Sequence, residues 1–499
     1  MKGFYSHLSS AKAFSIFTVL LLIAVLLTAF LIQQKLGATQ LNPIEQENQL
    51  PGTTAWQWSN PATYDLQTHR YPEIEGYARA TSAIAGDTLT FSVSTTAPTF
   101  TAAIYRLGWY QGKGGRLLKT LANIPGHFYP MPPMDPYTGL LDPPWPVAFS
   151  LYVDPSWVTG MYVVKLTSAT GKQGYIPFVV RSARPAAFVF VHGDTTDQAY
   201  NPWGGKSLYD FNSTSGKRAY KVSFNRPLAN QTVPGMGFLL LCEYPMILWL
   251  EQKGYDLEYV SSVDIHSSAN LLKAHSGILI VGHNEYWTKE MRDHLEAAVT
   301  SGVNLANFAA NSLWWQIRYE PSRTTALANR TIVCYKDAAL DPLTGKDNSH
   351  VTANFISSPV HRPEQLFLGN MSGSSCTPSP CYYPLVVTDA SNWIFAGTNL
   401  KNGDLIGDIV GYEYDKVNPH YPTPPGDQII ATSPVSNSTV YTTQGGARVF
   451  DGGSIEWSWG LDPYNLGYHH KNVVSSAVQQ ITQNILQNFL TSPTPTFHI

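Results

Sequence analysis

Four apolar runs of strand length in the second half of the chain each break off into polar, titratable residues, and this repetition constrains the fold more than any other feature. They are AFVFVH (187–192), GILIVG (277–282), VNLANF (303–308) and TIVCY (331–335). A continuous apolar run, unlike an alternating one, marks a strand covered on both faces. CEYPMILWLEQKG (242–254) and TKEMRDHLEAAVT (288–300) have helical character, and DLEYV (256–260) follows the first of them. Thr288 is placed to cap the second helix, with Glu290 in its first turn and Gly302 just past its end. Strands alternating with helices predict an α/β domain over 183–499 with a mostly parallel sheet. Near the C-terminus Val474, Val478, Ile481, Ile485 and Phe489 recur at spacings of three and four and mark a closing amphipathic helix.

Residues 61–182 read differently. In DTLTFSVSTT, Leu89, Phe91 and Val93 alternate with Thr90, Ser92 and Ser94, so one face is apolar. Breaks such as QGKGG and PMPPMDP separate the runs, and no helical period lies between them. An all-β sandwich is the economical reading. Residues 34–60, rich in Gln, Asn, Pro and Thr, read as a linker. Ahead of them, positions 13–33 are almost wholly apolar, and about 20 such residues span a bilayer as a helix. Lys2 and Lys12 put residues 1–12 on the cytoplasmic side. The expectation is a signal anchor with the body extracytoplasmic at the cell surface, or a secreted chain if the segment is cleaved.

A net charge of −3 with no basic stripe argues against nucleic acid as a partner. Only 13% of residues are charged, against about 25% in typical soluble domains, which fits a β-rich, loop-rich protein. Cys376 and Cys381, in SGSSCTPSPC, are placed for a short-loop disulfide, whereas Cys242 and Cys334 sit in apolar contexts as core fillers. No cysteine pattern resembles a zinc site.

In open α/β sheets ligands bind beyond the carboxyl ends of the strands. That rule selects GDTTDQAYNPWGGKSLYDFN (193–212), HNEYW (283–287), AANSLWWQ (309–316) and KDAAL (336–340). Glu285 among aromatics predicts a raised pKa or a metal ligand, or alternatively a helix cap with His283 merely hydrogen-bonding. Tyrosines such as Tyr200 and Tyr209 bind a cation only if it is charged strongly enough to displace their protons. No Gly-x-Ser-x-Gly elbow is present and no cysteine follows a strand as a nucleophile would. A metal-activated water is therefore favoured over covalent catalysis.

The segments DQAYNPWGGKSLYDFN, GHNEYW, NFAANSLWWQIR and VGYEYD, in this order, resemble the N,N-dimethylformamidase large-subunit family. IEGYARATS and IYRLGWYQGKGGR look like the sandwich that accompanies it. The resemblance implies a mononuclear Fe3+ held by Tyr200, Tyr209 and Glu285, with His283, Asn311, Lys336 and Glu413 as the catalytic polar residues. It implies a three-layer α/β sandwich of glutamine-amidotransferase type, hydrolysis of a small amide, and a small partner subunit or a homo-oligomer. Relatives often have Tyr-Gln-x-Tyr in the first loop, where this chain has Asp197. Two other readings remain open: a non-catalytic surface protein binding carbohydrate or cell wall on a degenerate scaffold, and a sugar-active hydrolase using Glu285 and Glu413 as paired carboxylates.

Overall fold

The computed structural model describes residues 41–229, 235–375, 382–464 and 473–491. From Pro43 onward the chain forms one compact unit.

Two sheets build the sandwich. One pairs Glu75–Ala78 and Phe149–Tyr152 on either side of Thr88–Ser94. The other runs Ser82–Ala83, Gln173–Val180, Gly160–Ser168, Thr99–Leu107, Gly115–Pro125. Leu89, Phe91 and Val93 point inward as their alternation requires and meet Ile104, Val164 and Phe178 of the second sheet.

The central sheet of the second half has nine strands: β1 (Phe188–His192), β2 (Leu257–Ser261), β3 (Gly277–His283), β4 (Asn304–Ala310), β5 (Tyr383–Val387), β6 (Leu405–Val410), β7 (Gln428–Thr432), β8 (Asn437–Thr442) and β9 (Arg448–Asp451). Their order is β2-β1-β3-β4-β9-β8-β7-β5-β6. The four pairs from β2 to β9 are parallel. The four from β9 to β6 are antiparallel. Around the parallel half, alternate residues of the apolar runs serve opposite cores. Phe188, Phe190, Leu279 and Phe308 pack with the helices Tyr244–Gln252 and Ser476–Thr491. Val189, Val191, Ile278 and Leu305 pack with Met291 and Leu295 of the helix Lys289–Thr300. Thr288 caps that helix by accepting the N–H of Met291.

Three expectations are corrected. The sheet is mixed rather than mostly parallel, and strand outweighs helix among the described residues, so the three-layer α/β sandwich of glutamine-amidotransferase type is not what forms. Short turns join β7 to β8 and β8 to β9, and the longer connections between β5, β6 and β7 hold only the 3-10 turn Trp393–Phe395 and a short strand, so no α-helix alternates with these strands as an α/β reading extrapolates. TIVCY does not join the central sheet: Thr331–Val333 pairs with Lys221–Ser223 and Trp315–Glu320 in a small satellite sheet that also takes in Tyr286–Thr288. Finally, among the described residues no helix is long and apolar enough to cross a membrane, so the expected signal anchor and the extracytoplasmic placement built on it are not supported. The apolar stretch at 13–33 and the cysteine pair Cys376 and Cys381 lie outside the described residues. Cys242 and Cys334 are buried free thiols.

Candidate functional site

At the carboxyl end of the parallel strands the chain turns sharply after β3. Gly282 has φ +69°, and a Cβ there would meet that of Cys242 at 2.4 Å, so only glycine fits. The next residues, His283 to Glu285, are buried. Glu285 is fixed through its backbone from two sides. Its N–H donates to Thr196 Oγ1 over 2.9 Å, and its carbonyl accepts the N–H groups of Trp314 and Trp315 over 3.0 Å each.

Two phenols converge on its carboxylate. Tyr200 ends the short helix Asp194–Tyr200, and its hydroxyl donates to Glu285 Oε2 over 3.0 Å. Tyr209 lies further along the same loop and reaches Oε1 at 2.8 Å and Oε2 at 2.7 Å. The two rings sit 4.3 Å apart, centroid to centroid. Arg226 holds the connecting loop. Its buried guanidinium donates to the carbonyls of Gln198, Asn201, Trp203 and Lys206. Burial pushes the Glu285 carboxyl above its ordinary value, and His283 pulls it back only in part. Burial and the nearby Glu285 charge push both phenols well up.

A second group adjoins the first. His283 Nε2 is 2.8 Å from Glu413 Oε2 and 3.5 Å from Glu285 Oε2. Asn311 Nδ2 donates to the same Glu413 oxygen over 3.0 Å. Burial alone would disfavour charge on either partner, but the mutual attraction of His283 and Glu413 wins: the imidazole is raised and the carboxyl lowered. Lys336, at φ +59°, places Nζ 3.2 Å from the Tyr209 ring centroid and 4.7 Å from that of Trp315. Burial lowers its pKa to about 8, with Glu285 opposing.

All seven residues singled out from the sequence are thus brought into one neighbourhood. Asp197 is not part of it: its carboxylate accepts the Phe238 N–H over 2.6 Å and lies 3.8 Å from His192. The departure from the Tyr-Gln-x-Tyr pattern therefore leaves the Tyr200, Tyr209 and Glu285 cluster intact. Among the described residues no group of three His, Cys, Asp or Glu could hold a metal, so a cation here would rest on one carboxylate and two phenolic oxygens. Above them opens a cleft of about 360 Å³ whose wall adds Trp314, Trp315, Ser372, Gly373 and Ser375. Sequence reasoning missed the last three, which lie in Met371–Ser375, a strand of small residues paired with Glu413–Lys416 and carrying no apolar signal.

A family model described as N,N-dimethylformamidase beta subunit-like, C-terminal, matches residues 101–472, well over half of the chain, and the chain belongs to that family. The match begins inside the sandwich, earlier than the quoted loop motifs. No curated protein matches the chain.

Proposed function

We propose that this chain is an amidohydrolase that cleaves an amide C–N bond with iron(III) held by Tyr200, Tyr209 and Glu285. Family membership supports amide hydrolysis in general. The observation that carries the metal reading is the convergence of two phenol hydroxyls on one buried carboxylate, within 3.0 Å, from separate positions of a loop pinned by Arg226. Three hard oxygen donors, two of them phenols that ionise only for a strongly charged cation, suit a ferric ion.

Iron(III) bound there supplies Lewis acidity, polarising an amide carbonyl and acidifying water. The remaining work belongs to the neighbouring side chains. Glu413, kept ionised by His283, is the general base for the attacking water. The imidazolium of His283 returns a proton to the leaving amine. Asn311 Nδ2, now on Glu413, turns to the developing oxyanion. The lining of Trp314 and Trp315 narrows solvent access. The family name points to a beta subunit, so a smaller partner chain belongs to this reading.

The test is metal analysis of the purified chain together with an absorption scan. Tyrosinate on ferric iron gives a visible charge-transfer band, which Glu285→Ala should abolish and Tyr209→Phe should shift or weaken. A colourless, iron-free protein would return the site to the non-catalytic binding reading.

A further inference from the structure

The cleft above Glu285 is too large for a minimal amide and its walls are chemically unlike each other. Its 360 Å³ is many times the roughly 10–15 Å³ that admits one water, so an amide as small as N,N-dimethylformamide leaves most of it unfilled. One wall is aromatic: Trp314 and Trp315, both half-buried, present indoles 6.0 Å apart and 75° from coplanar. Phe211, 75% exposed and 5.2 Å from the Tyr209 ring, extends apolar surface outward. Beyond the site residues at its floor, the lining adds Ser372, Gly373 and Ser375, small residues of which two carry hydroxyls.

We infer that the acyl-nitrogen bond cleaved here belongs to an N-acylated amino sugar. A pyranose has the matching two-sided character: an apolar C–H face for an indole and a rim of hydroxyls for serines and backbone. An aryl amide wants apolar cover on both ring faces, which Ser372, Gly373 and Ser375 do not give. In the reaction the oxygen of water bonds to the acyl carbon, the C–N bond breaks, and a proton passes to the nitrogen. The products are a free carboxylate and an amino sugar. This inference rests on the amide-hydrolysis reading, with the sugar recognised by the cleft wall and the acyl group directed to Glu285.

Two measurements on the full chain separate the claims. Tryptophan fluorescence is titrated with N,N′-diacetylchitobiose, and with acetanilide and N,N-dimethylformamide for comparison. Acetate or formate release from the same compounds is followed on iron-loaded protein. The expected result is saturable binding of the disaccharide, weakened about tenfold or more by Trp314→Ala, largely retained in Trp314→Phe, and accompanied by acetate release. Trp314→Phe keeps an aromatic face in place should the alanine variant fold poorly. Hydrolysis of acetanilide or N,N-dimethylformamide without disaccharide binding overturns the sugar inference and leaves the amidohydrolase standing. Disaccharide binding that depends on Trp314 without any amide hydrolysis overturns the inference together with the amidohydrolase reading and leaves a sugar-binding site in their place.

Discussion

Asp415 accepts the backbone N–H of Asn311 over 2.7 Å, while two residues earlier on the same strand Glu413 accepts the Asn311 side-chain amide. Residues i and i+2 of a strand share a face, so one strand grips Asn311 at two points. The grip matters because Asn311 sits at φ +56°, a conformation Asn tolerates but does not choose.

Asp415 is accordingly a positioning residue for the proposed oxyanion donor. Asp415→Ala should lower kcat about tenfold to a hundredfold with KM little changed. Asp415→Asn keeps an acceptor oxygen and should recover most of the loss. The check is steady-state kinetics on whichever amide the wild-type chain hydrolyses. Equal losses in the two variants, or a loss confined to KM, would contradict the role.

The candidate site was more legible than the fold. Each strand-length apolar run is visible, and the polar residues beyond it open the loops that meet, so the loops bearing Tyr200, Tyr209, His283, Glu285, Asn311 and Lys336 can be picked out in advance, while the choice of Tyr200, Tyr209, Asn311 and Lys336 within them came through resemblance. Glu413 was reachable only through resemblance, because the strand that bears it is short and half-exposed. Period-two alternation located the sandwich through Leu89, Phe91 and Val93. The antiparallel half of the central sheet escaped notice. Segments such as Gln428–Thr432 and Asn437–Thr442 are five or six residues long and carry polar residues even where buried, as at Ser438 and Thr439. Their burial is a consequence of tertiary packing that local pattern does not encode.

A buried ion pair ties the sandwich to the second half of the chain. Arg106 contacts both oxygens of Glu251, at 2.7 and 3.0 Å, with neither side chain exposed. Tyr259 and Asn48 donate to the same carboxylate. Gly108 lies against it so closely that a Cβ would sit 2.2 Å from Oε2. Removing either partner leaves an uncompensated buried charge. Arg106→Met and Glu251→Leu should each cost about 3–5 kcal/mol, and the double variant much less than their sum. Urea midpoints of the four proteins measure this, and strict additivity would show that the pair is not coupled.

Stability should fall with rising pH because of Glu364. The residue is fully buried, and burial raises its pKa to about 7, with Arg292 and the Ser372 N–H opposing. An unfolded glutamate titrates near 4.5. Between the two values the native state holds a proton that the unfolded state has released. The contribution of this group is thus fully present below about 4.5 and is lost as pH rises through about 7. Glu364→Gln removes the titration. It should be near neutral at pH 5 and stabilising by about 1–3 kcal/mol at pH 8, read from thermal or urea unfolding at the two pH values. A pH-independent effect would exclude ionisation as the cause.

Arg226 offers the sharpest test of how the loop between the two tyrosines is held. Among the described residues its guanidinium has no carboxylate partner within hydrogen-bonding distance. It donates instead to the carbonyls of Ser223, Gln198, Asn201, Trp203 and Lys206, and burial lowers its pKa to about 9. Five donors in a rigid plane match carbonyls arrayed at the end of a short helix and the turn beyond it, a geometry that three ammonium donors on a flexible stem cannot reproduce. Arg226→Met strands those carbonyls in the interior and should cost about 3 kcal/mol or more. Arg226→Lys should recover less than half of that. Because the same loop carries Tyr200 and Tyr209, the lysine variant should also lose the expected visible band while its far-ultraviolet dichroism stays native. A lysine variant as stable and as coloured as the parent would show that the loop is held by its own turns, not by the arginine.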